Sequence, residues 1–133
     1  MEKKFKRDVK SLDKIFDYIN HFVLTSQLDD SISFSIKFVV EELFTNMIKY
    51  NVGHENDILI SLKKNGQHVV VELVDYDVEP FDLTKVGDLD ITKPLERREV
   101  GGLGIHLVKK MVDRINYEYE NRTCRITVFK NLG

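Results

Sequence analysis

The stretch FVVEELFTNMIKYN, Phe38 to Asn51, contains neither glycine nor proline and carries a helical hydrophobic period. Ile36, Val40, Leu43 and Met47 recur at steps of four, three and four, which puts them on one stripe of an α-helix. Val39, Phe44 and Tyr50 flank that stripe. At about 100° per residue, Glu42, Asn46 and Lys49 fall together on a different face. Two readings of that polar row stand side by side. It is an ordinary solvated face of an amphipathic helix, or it serves a metal-bound phosphate. For the second, the amide oxygen of Asn46 suits a hard cation such as Mg²⁺. Lys49 can pair with phosphate as a point charge, and Glu42 can accept a proton. The helix alone does not decide between the two.

Ahead of this stretch, Lys3 to Asp8 reads as an edge strand or a tail, with Phe5 its one large apolar group. Ser11 is placed as an N-cap, with Asp13 in the first turn. Leu12, Ile15, Phe16, Ile19, Phe22 and Val23 then hold a helical stripe to about Ser26. Leu28 to Ser33 is a polar break, in which Ser31 or Ser33 can cap the helix of the opening stretch. That helix should end near Val52-Gly53, with Gly53 past its C-terminus.

Beyond it the period changes from 3.6 to 2. Ile58, Ile60 and Leu62 alternate with Leu59, Ser61 and Lys63. Asn65-Gly66 is a strong hairpin signal, and Val69, Val71 and Leu73 continue on the return strand. That strand runs into Asp75, Tyr76 and Asp77. A long segment with both prolines, Pro80 and Pro94, leads to Val100. A connection of this length inside a compact domain is usually functional, often a lid. GGLGIHLVKKMVD, Gly101 to Asp113, opens the next helix, with Ile105, Val108, Met111 and Val112 as its stripe. Two final strands, Ile115 to Glu120 and Arg125 to Lys130, meet at Asn121-Arg122-Thr123. The order predicts an α+β two-layer sandwich, with a mostly antiparallel sheet and helices on one face.

A chain of 133 residues, 42% hydrophobic and 32% charged, fits a single globular domain spanning 1–133. Its net charge of −2 supplies no basic field for nucleic acid or an anionic membrane. One cysteine, Cys124, excludes an internal disulfide framework and a cysteine zinc site. His21, His54 and His68 are too scattered for a metal site, and His106 reads as a packing or surface residue. No apolar run is long enough to span a bilayer and the N-terminus lacks a signal core, so a cytoplasmic location is expected.

Two further features bear on chemistry. Gly101-Gly102-Leu103-Gly104 stands where the long loop becomes a helix, and glycines there let a phosphate approach free backbone N–H groups. The same glycines serve equally well to make a sharp turn. Asp75 closes a buried strand and can receive an amino group, or can simply start a turn.

Taken in order, Glu42-x-x-x-Asn46, the strand-terminal Asp, the long loop and Gly-x-Gly opening a helix resemble the GHKL ATPase superfamily, which includes DNA gyrase and the sensor histidine kinases. The resemblance covers nearly the whole chain. Within the superfamily ELFTNMIKY, GGLGIHLVKKMVD and the ending RITVFK are most similar to the stand-alone anti-sigma factor serine/threonine kinases of bacteria. The resemblance implies a kinase that uses Mg²⁺ and ATP. It implies Asn46 as the Mg²⁺ ligand, Glu42 as the general base and Asp75 as the partner of the adenine amino group. It implies Lys49 and Tyr50 near the nucleotide, and Gly101, Gly102, Leu103 and Gly104 at the phosphate end. Val78 to Val100 would be the ATP lid, and Thr127 is a looser match to a threonine near adenine.

In the family, the first glycine box reads Asp-x-Gly. Here it reads Asp75-Tyr76-Asp77, and the stretch to Phe81 is one residue longer. Asp tolerates φ > 0 better than most residues but adds a charge. Asp77 is therefore a second candidate for the adenine partner. The implied substrate is a STAS-domain anti-sigma factor antagonist, with a sigma factor as a further partner and a homodimer as an admissible assembly. A sensor histidine kinase is disfavoured because the chain leaves no room for a phosphoacceptor helix pair before the ATP domain. The rival is an ATP-responsive or nucleotide-free binding protein in a partner-switching pathway, without kinase activity.

Overall fold

The computed structural model describes residues 1–50, 55–82 and 102–133. Five strands form one antiparallel sheet in the order β1-β2-β3-β5-β4. They are β1 (Glu2–Phe5), β2 (Ile58–Asn65), β3 (His68–Tyr76), β4 (Arg114–Glu120) and β5 (Thr123–Asn131). Three helices, α1 (Leu12–Thr25), α2 (Asp30–Tyr50) and α3 (Gly102–Met111), complete the α+β fold.

Strand alternation builds the core. Ile58, Ile60 and Leu62 of β2 and Val69, Val71 and Leu73 of β3 are buried, as are Ile126 and Val128 of β5. Against them lie Ile15, Ile19 and Phe22 of α1, and Ile36, Val40, Leu43, Phe44 and Met47 of α2. Ile105 and Val108 of α3 join the same cluster. The period-2 and period-3.6 stripes in the sequence thus meet in one apolar layer, the arrangement that burying one face of each element requires.

Several local signals resolve differently from expectation. Ser11 makes no side-chain cap; its hydroxyl donates to Lys6 O (2.8 Å) instead. A 3₁₀ turn, Val9–Ser11, precedes α1, and Asp8 caps it by accepting from Lys10 N. Neither Ser31 nor Ser33 starts α2. Asp29 does so, its carboxylate accepting from Ile32 N at 2.9 Å. The β2–β3 turn is Gly66-Gln67 rather than Asn65-Gly66, since Asn65 pairs with His68. Only the first turn residue, Gly66, has positive φ (63°), the glycine-first pattern of a type II′ hairpin. The helix end near Val52-Gly53 falls outside the described residues; α2 is seen to Tyr50.

One inward row of the sheet is not apolar. Phe5, Ile58, Asp75, Cys124 and Tyr119 stand opposite one another across all five strands. Asp75 is fully buried in that row. Its counter-charge comes from Arg7, just after β1, whose side chain is only 5% exposed and whose Nη2 donates to Asp75 Oδ1. Arg7 also donates to Met47 O of α2 (3.3 Å) and to Asn56 O before β2 (3.2 Å). A buried ion pair roughly balances its own desolvation, but removing one partner leaves an uncompensated charge. Arg7→Met should therefore cost about 3–5 kcal/mol in denaturant unfolding. Arg122→Met, at the half-exposed pair with Asp77, should cost far less. Equal losses for the two variants would show that Arg7 does not carry this burial.

Candidate functional site

Glu42 and Asn46 lie one turn apart on α2, on the side where α3 crosses it. Asn46 is buried, at 4% exposure. Its Nδ2 donates to the Glu42 carbonyl at 2.5 Å, folding the amide back along the helix. Only the amino end can donate to a carbonyl, so this bond fixes which end points away from the backbone. Asn46 Oδ1 is buried with no hydrogen-bond partner among the described residues. An unpartnered buried acceptor costs about 1–3 kcal/mol. Such an oxygen, held and desolvated, fits a hard cation that takes oxygen ligands. The described residues hold no group of three or more His, Cys, Asp or Glu arranged for a metal. A Mg²⁺ bound here would be held by Asn46, with water and the oxygens of a bound phosphate as further ligands.

The Glu42 side chain is half-buried against the start of α3. A Cβ built on Gly104 would collide with Glu42 Oε2 and come within 2.5 Å of Glu42 Cδ. Gly104 therefore lets the α3 backbone close over this carboxylate. Burial raises the pKa of Glu42 above its ordinary 4.5, with the neighbouring Glu41 charge adding to the effect. A carboxylate raised in this way is a better proton acceptor near neutral pH than an ordinary one.

Lys49 is exposed at the end of α2, its ammonium 4.9 Å from the Tyr50 ring centroid. Tyr50 is half-buried and stacks on Phe81, with centroids 5.0 Å apart and planes at 13°. Both therefore stand about one turn beyond Asn46, where the end of α2 meets the segment after β3. Gly102 and Leu103 lie in the first turn of α3. Gly101 and positions 83–100 of the expected lid lie outside the described residues.

The two aspartates separate sharply. Asp75 points inward and is fully buried, whereas the Asp77 side chain is 68% exposed. Asp77 has φ 55°, the left-handed conformation that a glycine in its place would take without cost. Its carboxylate accepts from Arg122 Nε at 2.7 Å. Arg122 is also the second residue of the β4–β5 turn, where Asn121 (φ 52°) and Arg122 (φ 57°) show the paired positive φ of a type I′ hairpin. The same turn accepts Val78 N–H at Arg122 O (2.9 Å), and Tyr119 Oη donates to Val78 O at 2.6 Å. The exit of β3 is thus tied to the β4–β5 hairpin on both sides of the backbone.

Thr127 is turned to the other face of the sheet, half-buried beside Glu72. The residue opposite Asp75 is Cys124, whose thiol is pushed up to about 12 by burial and by the nearby Asp75 and Asp82 charges. It is an inert packing group. The group that sequence reading misses is Arg7. A buried carboxylate demands a cation, but nothing in a chain with 20 Lys and Arg singles out this one.

Comparison with known proteins gives the family and the fold. The family described as the histidine kinase-like ATPase domain matches residues 5–130. The chain is 31% identical over 86 residues to the Bacillus subtilis sensor histidine kinase YxdK; the match takes in 62% of this chain and 26% of that protein. It thus spans about a quarter of that relative's length. Among solved structures, the Acinetobacter baumannii histidine kinase AdeS superimposes with a TM-score of 0.56 at 16% identity, covering 100% of this chain and 68% of the other. The histidine kinase domain of the Erythrobacter litoralis EL346 blue-light-activated kinase does so with 0.55 at 14% identity, covering 93% and 60%. At these identities the structures speak for the fold alone.

Two outcomes follow from the packing of Glu42. With its folded pKa raised, Glu42 favours the folded state when protonated, and this contribution is lost as pH rises through the folded pKa. Glu42→Gln should therefore raise the melting temperature at pH 7, and the gain should vanish below about pH 4. A gain that persists at acid pH would trace to something other than the charge. Gly104→Ala should melt within a few degrees of wild type, because the colliding atoms end a flexible side chain. It should nevertheless displace the carboxylate and return its pKa, read by carboxyl ¹³C NMR, toward 4.5. An unmoved titration would disprove the contact.

Proposed function

The chain belongs to the histidine kinase-like ATPase domain family, and we propose that it is a Mg-ATP-dependent serine/threonine protein kinase of the anti-sigma regulatory type. Its substrate in this reading is a hydroxyl on a small STAS-domain antagonist. The observation that supports it most is the placing of the Glu42 carboxylate. It stands one turn from the orphaned Asn46 oxygen, with a pKa raised by burial.

A hydroxyl nucleophile must lose a proton as it attacks phosphorus, whereas a neutral imidazole already offers a lone pair. A desolvated carboxylate at the phosphate end is therefore useful to a serine or threonine acceptor and superfluous to a histidine. In the proposed step the acceptor oxygen bonds to the γ-phosphorus and the bond to the β–γ bridging oxygen breaks. The hydroxyl proton passes to Glu42, and ADP leaves. Asn46 would hold Mg²⁺, which when bound neutralises charge on the triphosphate oxygens. Gly101, Gly102 and Gly104 would let the phosphates approach the backbone, and Asp75 would take the adenine amino group. Lys49 and Tyr50 would flank the nucleotide from the end of α2. The STAS-domain partner, and a sigma factor as a second partner, rest on the resemblance of the Glu-x-x-x-Asn helix and of Gly101 to Asp113.

A second reading is favoured by Asp77. A left-handed, charged residue paired with Arg122 stands where the family's glycine box has glycine. That feature suits a partner-switching protein that binds nucleotide weakly and transfers nothing.

The test uses radiolabelled ATP, Mg²⁺ and the STAS-domain protein encoded nearest to this chain. Asn46→Ala should weaken Mg-ATP binding severely in calorimetry. Glu42→Gln should bind ATP nearly as wild type yet transfer phosphate about 10²–10⁴-fold more slowly. The product should be acid-stable, as a phosphoserine or phosphothreonine is. An acid-labile product would point to histidine instead. Sound ATP binding without transfer to any partner would favour the switch.

A further inference from the structure

We infer that Arg7 is a positioning residue for the base-reading carboxylate, and that it thereby sets the purine preference of the nucleotide site. The inference rests on the proposed function, in which Asp75 receives the amino group of adenine.

Asp75 sits in an otherwise apolar inward row of the sheet. Across the strands Asp75 faces Ile58 and Cys124, so a charged contact has to come from elsewhere. Arg7 supplies the contact from outside the sheet. Its guanidinium is planar, with N–H groups in fixed directions. Three of them are committed, to Asp75 Oδ1, to Met47 O and to Asn56 O. The two carbonyls belong to the end of α2 and to the approach of β2, so the guanidinium plane is anchored independently of Asp75. A carboxylate bonded to an anchored fork cannot swing freely about its own terminal torsion.

That restraint matters for base recognition. Adenine presents an amino donor at C6, and hypoxanthine presents an oxo acceptor in the same place. A carboxylate accepts from the first and repels the second. The repulsion discriminates only while the carboxylate is unable to turn aside. A carboxylate offers about four lone-pair sites, so a bond from Arg7 and one from an amino group are compatible. Met47 follows Asn46 directly, so Arg7 also braces the turn of α2 that carries the proposed Mg²⁺ ligand. Residues Phe5 to Arg7 thereby become part of the site's wall, although no sequence motif points to them.

The experiment compares Mg-ATP with Mg-ITP, which differ at C6 of the base and in the proton that hypoxanthine carries on N1. Binding of each is measured by calorimetry for wild type, Arg7→Lys and Arg7→Gln, with melting curves to establish that the variants are folded. Lysine keeps the buried charge but not the fork. Wild type should prefer ATP. In Arg7→Lys the ATP-over-ITP ratio should fall roughly 10- to 100-fold, the worth of one well-placed hydrogen bond to a charged group. Most of the fall should come from lost ATP affinity.

A folded Arg7→Lys with an unchanged ratio would make Arg7 merely structural and overturn the inference while ATP binding stands. A wild type that binds ATP and ITP alike would overturn it without any variant. A wild type that binds neither would overturn the nucleotide reading itself, and this inference with it. Where neither variant folds, the Arg7 guanidinium ¹⁵N resonances of wild type decide. They should shift on adding Mg-ATP and hold still with Mg-tripolyphosphate, which lacks a base. Equal responses to both would reject the assignment.

Discussion

A carboxylate buried in an apolar row has to be met by a cation, and in this chain the cation comes from a segment before the first helix. The Arg7–Asp75 pair is enclosed on both sides. By itself such a pair adds little net stability, since desolvation takes back most of the Coulomb attraction. Its effect is to forbid alternatives. With Asp75 fixed in β3, Arg7 must reach it from the end of β1, and its other bonds then hold the end of α2 and the approach to β2. Edge strand, helix end and central strand are brought into register by one side chain.

The second constraint is the close approach of α3 to α2. Gly104 has no side chain, so the carboxylate of Glu42 occupies the space that a Cβ would need. That enclosure is what desolvates Glu42. A few ångströms along the same helix, Asn46 gives its amino end to the backbone and keeps its oxygen unmatched. Both features work against stability. A raised carboxylate pKa and an orphaned acceptor persist where the surrounding packing over-determines them, and here the apolar side of α2 supplies that packing through Ile36, Val40, Leu43 and Met47.

The exit from β3 shows a different economy. Asp77 takes a backbone conformation suited to glycine, and its charge is turned away from the inward row toward Arg122. Arg122 itself sits in a left-handed turn and holds both Asp77 and Glu79. Hydrogen bonds from Val78 N–H to Arg122 O and from Tyr119 Oη to Val78 O secure the backbone between them. Two residues in a disfavoured conformation are thus retained together by mutual contacts at the rim of the sheet.

The fold was legible in the sequence because periodicity survives translation into structure. The change from steps of three and four to steps of two, with Gly66 at a turn, carries the element order and the inward faces without tertiary information. Helical spacing likewise places Glu42 beside Asn46, but in sequence the glycines read as room for a phosphate or as a sharp turn, and only the packing of α3 on α2 shows the Glu42 carboxylate in the space beside Gly104. Caps were less legible, because Ser11, Asp8, Asp29 and Ser31 all satisfy the local rule and packing chooses among them. What only the tertiary structure decided is the set of partners that chain order does not relate. Asp75 and Asp77 differ by two positions in sequence, yet the pleat buries the first, and the turn into positive φ exposes the second. Arg7 stands 68 residues from Asp75. Burial alone makes that distant pairing obligatory, and burial is a property of the folded chain.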